Sequence, residues 1–462
     1  MKKKGPNFIE QIIDGDISRG FKKDNLRFRF PPEPNGYLHI GHLKAICLNF
    51  NLGEKYGAPV NLRFDDTNPE KEAKEYVDAI KNDILWLGYK WNKECYASDY
   101  FEQLYNWAIV LIEKDLAYID SQSSEDIANQ KGTPTKDGKA SPYRDREKEE
   151  SLKIFKEMYN GDHKQGEHVL RAKINMSSPN MLMRDPVIYR AMEVKHHRTG
   201  DSWKIYPMYD WTHGESDYIE QVSHSLCTLE FEPHRELYDW FLDSISPLKG
   251  IRPKQREFSR LNLSYTITSK RNLAKLVEEG VVGGWDDPRM PTISGLRNRG
   301  YTPESLKSFA LTVGISKREN VIDVSLLEFC VRTHLNEEAP RAMAVLDPLK
   351  ISIINYNENK EESVNFDINP QKPGQGKRAV LFSKNIYIER EDFQENPEEG
   401  FFRLSLGEEV RLKNAYIIKA TNIIKNEKGQ ITEVECEYDE KSKSGSNTEA
   451  VSYTHLTLPT KA

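Results

Sequence analysis

Apolar and basic residues alternate along Leu26-Arg-Phe-Arg-Phe30, the period-two signature of a β-strand. Pro31-Pro-Glu-Pro-Asn-Gly36 then breaks regular structure. From Ile40 the apolar positions recur at Leu43, Ile46, Cys47 and Phe50, which predicts a helix closed by Gly57 and Pro59. Val60-Asn-Leu-Arg-Phe64 predicts a second strand. Strand, helix and strand in this order predict a βαβ unit in a parallel, doubly wound α/β sheet. Ala73, Val77, Ile80, Ile84 and Leu87 mark one face of the next helix, and strand character returns at Trp203-Lys-Ile-Tyr-Pro207. Between them, residues 98–202 are mixed in character and hold a turn-rich stretch, Gly132 to Pro142, so they read as an insertion. Residues 260–338 read as mostly helical, with a breaker cluster from Gly283 to Gly295. Beyond Pro340, Lys350-Ile-Ser-Ile-Ile, Arg378-Ala-Val-Leu-Phe, Asn385-Ile-Tyr-Ile-Glu and Val410-Arg-Leu-Lys alternate at period two, which predicts an all-β module of the barrel type.

At 462 residues the chain has room for about three domains. Aromatic residues make up 10% and hydrophobic residues 37%, which excludes wholesale disorder, and no run of 18 apolar residues exists to span a membrane. No signal peptide is read at the start, so a cytoplasmic protein is expected. Five scattered cysteines with no Cys-x-x-Cys pair suit a reducing compartment and speak against a zinc knuckle, so no protein-bound metal is expected. The net charge of −6 argues against general adhesion to nucleic acid. A local basic face remains: residues 251–275 hold seven Lys and Arg against the single acid Glu257.

Two stretches carry chemistry. Glu33-Pro-Asn-Gly-Tyr-Leu-His-Ile-Gly-His42 lies between the first strand and the first core helix. A helix start there offers free N–H groups and a positive dipole end, which suit phosphate. His39 and His42 share a face, and Gly41 leaves room for a flat ring near the backbone. Two polar residues at a capped helix start is the plainer reading of such a pair. Ile267-Thr-Ser-Lys-Arg271, far downstream, could bring a mobile ammonium to phosphate, or be a solvated basic turn.

Together the two stretches resemble the "HIGH" and "KMSKS" signatures of class I aminoacyl-tRNA synthetases, with Thr268 where the second usually has Met. The resemblance narrows with Arg29-Phe-Pro-Pro-Glu-Pro-Asn-Gly-Tyr-Leu-His-Ile-Gly-His, Arg63-Phe-Asp-Asp-Thr-Asn-Pro69, Ser141-Pro-Tyr-Arg-Asp-Arg146, Tyr206-Pro-Met-Tyr-Asp210 and Trp285-Asp-Asp-Pro-Arg-Met-Pro-Thr292. From about residue 6 to about 445 the chain is similar to the glutaminyl-tRNA synthetase family.

That resemblance implies ATP-dependent joining of L-glutamine to its tRNA through a glutaminyl-adenylate, with Mg²⁺ accompanying ATP. It implies a Rossmann-type catalytic domain in two halves, 1–97 and 203–259. An acceptor-stem-binding domain is inserted at 98–202, and a helical subdomain follows at 260–338. An antiparallel β-barrel region at 339–450 would read the anticodon. Residues 451–462 do not resemble the family's continuation, so a truncated frame with a foreign tail is expected. His39, His42 and Lys270 would be catalytic. Glu33, Pro34, Asn35, Ile40, Gly41, Leu43, Lys44, Ala45, Thr228, Arg260, Leu261, Thr268 and Ser269 would join them at ATP. Arg29, Asp65 and Tyr209 would bind glutamine, with Asp66 or Thr67 rather than Asp65 capping the next helix. Arg341, Arg403 and Lys413 would contact the anticodon, and a monomer is expected. Glutamyl-tRNA synthetase and a non-catalytic tRNA-binding paralogue stand as alternatives. Cys227, where glutamate enzymes generally carry Arg, favours glutamine, as does Asn68. The turn from Thr133 to Ser141 would wedge open the first base pair.

Overall fold

The computed structural model describes residues 5–70, 72–245 and 247–445, which fall into two compact units, Met1–Val331 and Arg332–Ala462. The tail expected at 451–462 lies outside the described residues.

In the first unit, α1 (Phe8–Ser18) opens on a capping box between Asn7 and Glu10. Then come β1 (Phe28–Phe30), α2 (Ile40–Tyr56), β2 (Val60–Phe64), α3 (Lys74–Trp86) and β3 (Glu94–Tyr96). The three strands are parallel in the order β1-β2-β3, with Phe28 beside Val60 and Leu62 beside Glu94. Gly57 ends α2 at φ +65°, a left-handed turn that suits glycine. Helix α3 starts at Ala73 with no side-chain cap. Asp66 therefore does not cap it, nor does Thr67. The Asp66 carboxylate instead accepts from Ser98 N (2.8 Å) and Ser98 Oγ (2.6 Å).

An inserted four-stranded antiparallel sheet follows, of β4 (Ala117–Asp120), β5 (Val169–Ala172), β6 (Val187–Ala191) and β7 (Ile205–Pro207). It is accompanied by α4 (Phe101–Glu113), α5 (Ser124–Gln130) and α6 (Lys148–Asn160). Because β7 pairs with β6, this sheet runs past residue 202, and the strand at 205–207 is not part of the parallel sheet. Phe101, Leu104, Phe155, Leu170, Tyr206 and Trp211 share its core. Buried Arg184 shapes the turn after α5, donating from Nη1 to the carbonyls of Lys131, Thr133 and Lys136 (2.6–3.0 Å).

The chain then returns through α7 (Tyr209–Ile219), β8 (His224–Thr228), α8 (Arg235–Ser244) and β9 (Lys254–Phe258), with β8 and β9 parallel. Ser223 N donates to Arg27 O (3.0 Å), which sets the start of β8 beside the start of β1. Next are β10 (Asn262–Leu263), α9 (Lys270–Glu278), α10 (Ile293–Asn298), α11 (Pro303–Val313), β11 (Val321–Ile322) and α12 (Val324–Glu338). Gly295, counted among the breakers, lies inside α10. A Cβ there would sit 2.6 Å from Asp287 O, so close packing rather than a turn demands glycine.

In the second unit, β12 (Pro348–Ile353), β13 (Glu362–Asp367), β14 (Lys377–Phe382), β15 (Asn385–Glu389), β16 (Phe393–Gln394), β17 (Leu404–Ser405), β18 (Glu409–Arg411), β19 (Ile417–Lys425) and β20 (Ile431–Asp439) surround one core. The main sheet runs β15-β12-β20-β19-β18, and its β12–β20 pair is parallel within an otherwise antiparallel sheet. Arg341 donates to Asn336 Oδ1 (3.0 Å) and Asn336 O (2.8 Å). Arg403 pairs with Asp392, and Lys413 is exposed. No described helix is long and apolar enough to cross a membrane.

Candidate active site

The loop after β1 enters α2 through His39, which is the N-cap. Gly41 N donates to His39 Nδ1 and His39 N donates to His42 Nδ1, both at 3.1 Å. Each Nδ1 is thus an acceptor, so a neutral ring carries its proton on Nε2. The rings tilt against each other with centroids 3.9 Å apart. A Cβ on residue 41 would lie 2.8 Å from the His39 ring, which is why glycine separates the histidines. Pro291 O accepts from Ile40 N (2.9 Å), Leu38 O accepts from Ile293 N (2.8 Å), and Tyr37 stacks on Trp285. The Trp285–Thr292 motif therefore clamps the loop.

Burial and nearby Lys270 pull His39 down to about 4, and burial, His39 and Lys270 pull His42 well below its ordinary value. The unfolded chain takes up these protons near pH 6.5 and the folded chain resists until lower pH, so His39 destabilises the fold as pH falls from about 6.5 towards 4. In His39→Asn, an amide oxygen can replace Nδ1 without titrating. The melting temperature of that variant, relative to the parent, should rise between pH 7 and pH 5. An unchanged difference would show that His39 is not held neutral.

Lys270 opens α9 and reaches back across 237 positions of sequence. Its Nζ donates to Asn35 Oδ1 and lies 3.5 Å from Glu33 O, while Asn35 Nδ2 donates to Glu33 Oε2 (2.6 Å). The two signatures thus meet at one cleft of about 310 Å³. Larger cavities, of about 530 and 630 Å³, hold neither signature histidine nor Lys270.

The far wall of the cleft carries Asp65, Tyr209, His213, Cys227 and Phe231. Tyr209 Oη lies 3.1 Å from His213 Nδ1. His213 Nε2 faces Cys227 Sγ (3.6 Å) and Asp217 Oδ2 (3.9 Å), so the ring proton belongs on Nε2 and Tyr209 donates to Nδ1. Burial holds His213 down to about 3 despite Asp217, and pushes the Cys227 thiol up, so both are neutral. Burial raises Asp65 to about 6, opposed by Arg63 and Arg29.

Behind this wall lies a buried charge network. Asp217 Oδ1 accepts from Arg29 Nε (3.0 Å) and Arg63 Nη1 (2.8 Å), and Arg63 also pairs with Asp65 (3.0 Å) and Glu220 (3.3 Å). Arg29 additionally donates to Ser225 Oγ (2.6 Å) and Leu226 O (3.0 Å). Its side chain is 0% exposed and does not line the cleft, so the expected direct anchoring of substrate gives way to a place in the framework.

Of the other expected positions, Glu33, Ala45 and Thr228 line the cleft. Pro34 is buried beside it, where its O accepts from Ala73 N (3.2 Å). Leu43 and Leu261 are core residues, and Ile40 lines a neighbouring cavity. Lys44 points to the opposite side of α2, where Nζ donates to Ser259 Oγ (2.8 Å) and burial lowers its pKa to about 8. Arg260 is 57% exposed beside Glu230 and Glu319. Thr268 is half-buried and Ser269 exposed, and neither lines the cleft. Sequence reading missed His213, although it stands four residues after Tyr209 on one helix and so shares its face.

The family model for tRNA synthetases class I (E and Q), catalytic domain, matches residues 25–337, and the corresponding anti-codon binding domain matches 339–439. The glutamine–tRNA ligase of Vibrio vulnificus is 56% identical over 94% of this chain and 78% of its own length. That of Clostridium kluyveri is 53% identical over 96% of this chain and 79% of its own. Among solved structures, a glutamate tRNA ligase from Elizabethkingia meningosepticum superposes with a TM-score of 0.51 at 17% identity, over 68% of this chain and 70% of that one. With both domain models matched in order and identity above half across nearly all of its length, the chain belongs to the class I tRNA synthetases of the glutamate and glutamine type.

Proposed function

We infer that this protein ligates L-glutamine to tRNA through a glutaminyl-adenylate, with MgATP as co-substrate. The observation that carries this reading is the meeting of both signatures with the Tyr209–His213 pair in one cleft. The glutamine carboxylate attacks the α-phosphorus of ATP and pyrophosphate leaves. A hydroxyl of the terminal tRNA ribose then attacks the adenylate carbonyl and AMP leaves. Negative charge grows on the phosphoryl oxygens in the first step. In this reading the Nε2–H groups of His39 and His42 and the ammonium of Lys270 offset it, with no covalent enzyme intermediate; His42 and Lys270 line the cleft itself.

Selection of glutamine follows from the pocket's hydrogen-bond polarity. Tyr209 spends its proton on His213, so its oxygen is left to accept from an amide NH₂. A carboxylate there would face that oxygen, a neutral thiol and Asp65, with the cation of Arg29 already committed behind them. This favours glutamine over glutamate, in keeping with the names of the similar chains. Asp65, which lines the cleft, is the proposed partner of the substrate ammonium. Arg341, Arg403 and Lys413 are the proposed anticodon contacts, and the turn shaped by Arg184 is the proposed wedge at the acceptor end.

Charging one tRNA transcript with glutamine and glutamate in parallel tests the reading: glutamine should win by about 10⁴ or more, as in sites built to hydrogen-bond a substrate group. Equal charging, or none, would overturn it. Tyr209→Phe should lower that preference by about 10- to 100-fold, matching about 1–3 kcal/mol for one unmet buried polar group. An unchanged preference would remove Tyr209 from the specificity pocket.

A further inference from the structure

The loop that leaves β2 carries Asp65, and no helix holds it until α3 begins at Lys74. The next residue, Asp66, is 0% exposed and is held from outside that loop. Its carbonyl accepts from His196 Nε2 (2.8 Å). Its carboxylate accepts from Ser98 N (2.8 Å), Ser98 Oγ (2.6 Å) and His197 Nε2 (3.2 Å). Each of these donors belongs to the inserted segment, 98–202. On the other side, Asp65 N donates to Pro32 O (3.1 Å), and Asp65 and Pro32 both line the cleft.

His196 is itself fixed. Its Nδ1 accepts from Arg198 N (3.1 Å) and Thr199 N (3.2 Å), so the ring proton is on Nε2, facing Asp66 O. Backbone bonds with Gly200 in both directions (3.1 and 2.9 Å) close the turn between β6 and β7. The ring meets Phe101 edge-on and stacks on Tyr206, two core residues of the inserted sheet.

We propose that His196 is a positioning residue for glutamine: it ties the Asp66 peptide to the inserted sheet and thereby sets Asp65, the partner of the substrate ammonium. This rests on the function inferred above. A rigid, planar peptide joins the two residues, so a shift of the Asp66 carbonyl moves Asp65, and misplacing a binding group by about 1 Å can cost about 10²-fold. Without the Nε2–H the buried Asp66 carbonyl loses its donor, which drives the loop towards an arrangement that supplies another. The ammonium contact exists before reaction and persists through it, so its loss falls on KM rather than on kcat.

Glutamine-dependent pyrophosphate exchange, measured with tRNA present, tests this. His196→Phe keeps the aromatic packing and removes the donor. It should raise the KM for glutamine by about 10-fold or more, with kcat and the KM for ATP within about 3-fold of the parent. His196→Gln, whose amide can donate to Asp66 O, should bring the KM for glutamine back to within about 3-fold of the parent. In an Asp65→Asn background, His196→Phe should add almost nothing, because both changes act on one contact. Melting of each variant shows which are folded. Ser98→Ala, which removes one donor to the Asp66 carboxylate, should shift the KM for glutamine in the same direction and replaces His196→Phe if that variant is unfolded. An unchanged KM in the folded variant, equal losses for glutamine and ATP, no rescue by His196→Gln, or effects that multiply in the Asp65→Asn background would each overturn the proposal. A parent without glutamine-dependent exchange would overturn the function itself, and this inference with it.

Discussion

Replacing Lys270 by alanine is expected to slow glutaminyl-adenylate formation by roughly 10²–10³, the range for losing one preorganised donor to transition-state charge. The ammonium sits at the first residue of α9, held by Asn35 and near Glu33 O on the opposite signature loop. Those partners are neutral oxygens, so exchanging them for a phosphoryl oxygen costs little and gains a charge-assisted bond as charge develops. ATP binding should change less, because the donors of His39 and His42 remain. Glutamine-dependent pyrophosphate exchange, measured with tRNA present, reads both quantities. Activity within a few-fold of the parent would remove Lys270 from the catalytic set.

Asp217→Asn should destabilise the first unit by about 3–5 kcal/mol, the cost of breaking a buried ion pair from one side. Asp217 is 0% exposed, and its two arginine partners are equally buried. Arg29 and Arg63 hold its carboxyl far below the usual carboxylate range against a large burial penalty. This stabilisation is therefore present above about pH 4 and lost only as strong acid is approached. Without the charge, Arg29 keeps only neutral acceptors, while Arg63 keeps Asp65 and Glu220. Urea unfolding at pH 7 measures the loss, and a change under about 1 kcal/mol would mean the network does not support the sheet. Because Arg29 also holds Ser225 and Leu226, beside Cys227, glutamine selection should weaken in the same variant.

The β1–α2–β2 unit is legible in sequence because helical spacing and a closing glycine are local signals, and the structure places Gly57 at that end. The charge network is not. Arg29 and Arg63 alternate with apolar neighbours as if they faced water, but both faces of this parallel sheet are covered. Their neutralising partner stands 188 and 154 positions away. Lys44 shows a different failure. It follows Leu43 into the signature helix, yet one step of helical rotation from a core residue takes it to another cavity. Helical phase alone would have separated it from His42 and Ala45. Strand β19 escapes a period-two scan because a register shift between Ala420 and Asn422 interrupts its alternation. The meeting of His196 and His197 with the loop after β2 is invisible in sequence for a similar reason. Adjacent in sequence, they meet Asp66 and Glu72 only when the inserted sheet closes onto the loop after β2.

The cleft draws its lining from residues 30–49, 65, 209–231, 258 and 270. For a chain emerging from the ribosome, this makes the site a late product of synthesis. The βαβ strands and the whole inserted sheet leave the exit tunnel before Lys270 is even made. At roughly 5–20 residues per second, the last cleft residue is added some tens of seconds after the first. Until Asp217 is added, Arg29 has no acid partner and Arg63 has only Asp65, so β1 and β2 carry charge that resists burial. The sheet that opens the sequence is thereby kept from closing until the chain that completes it has arrived.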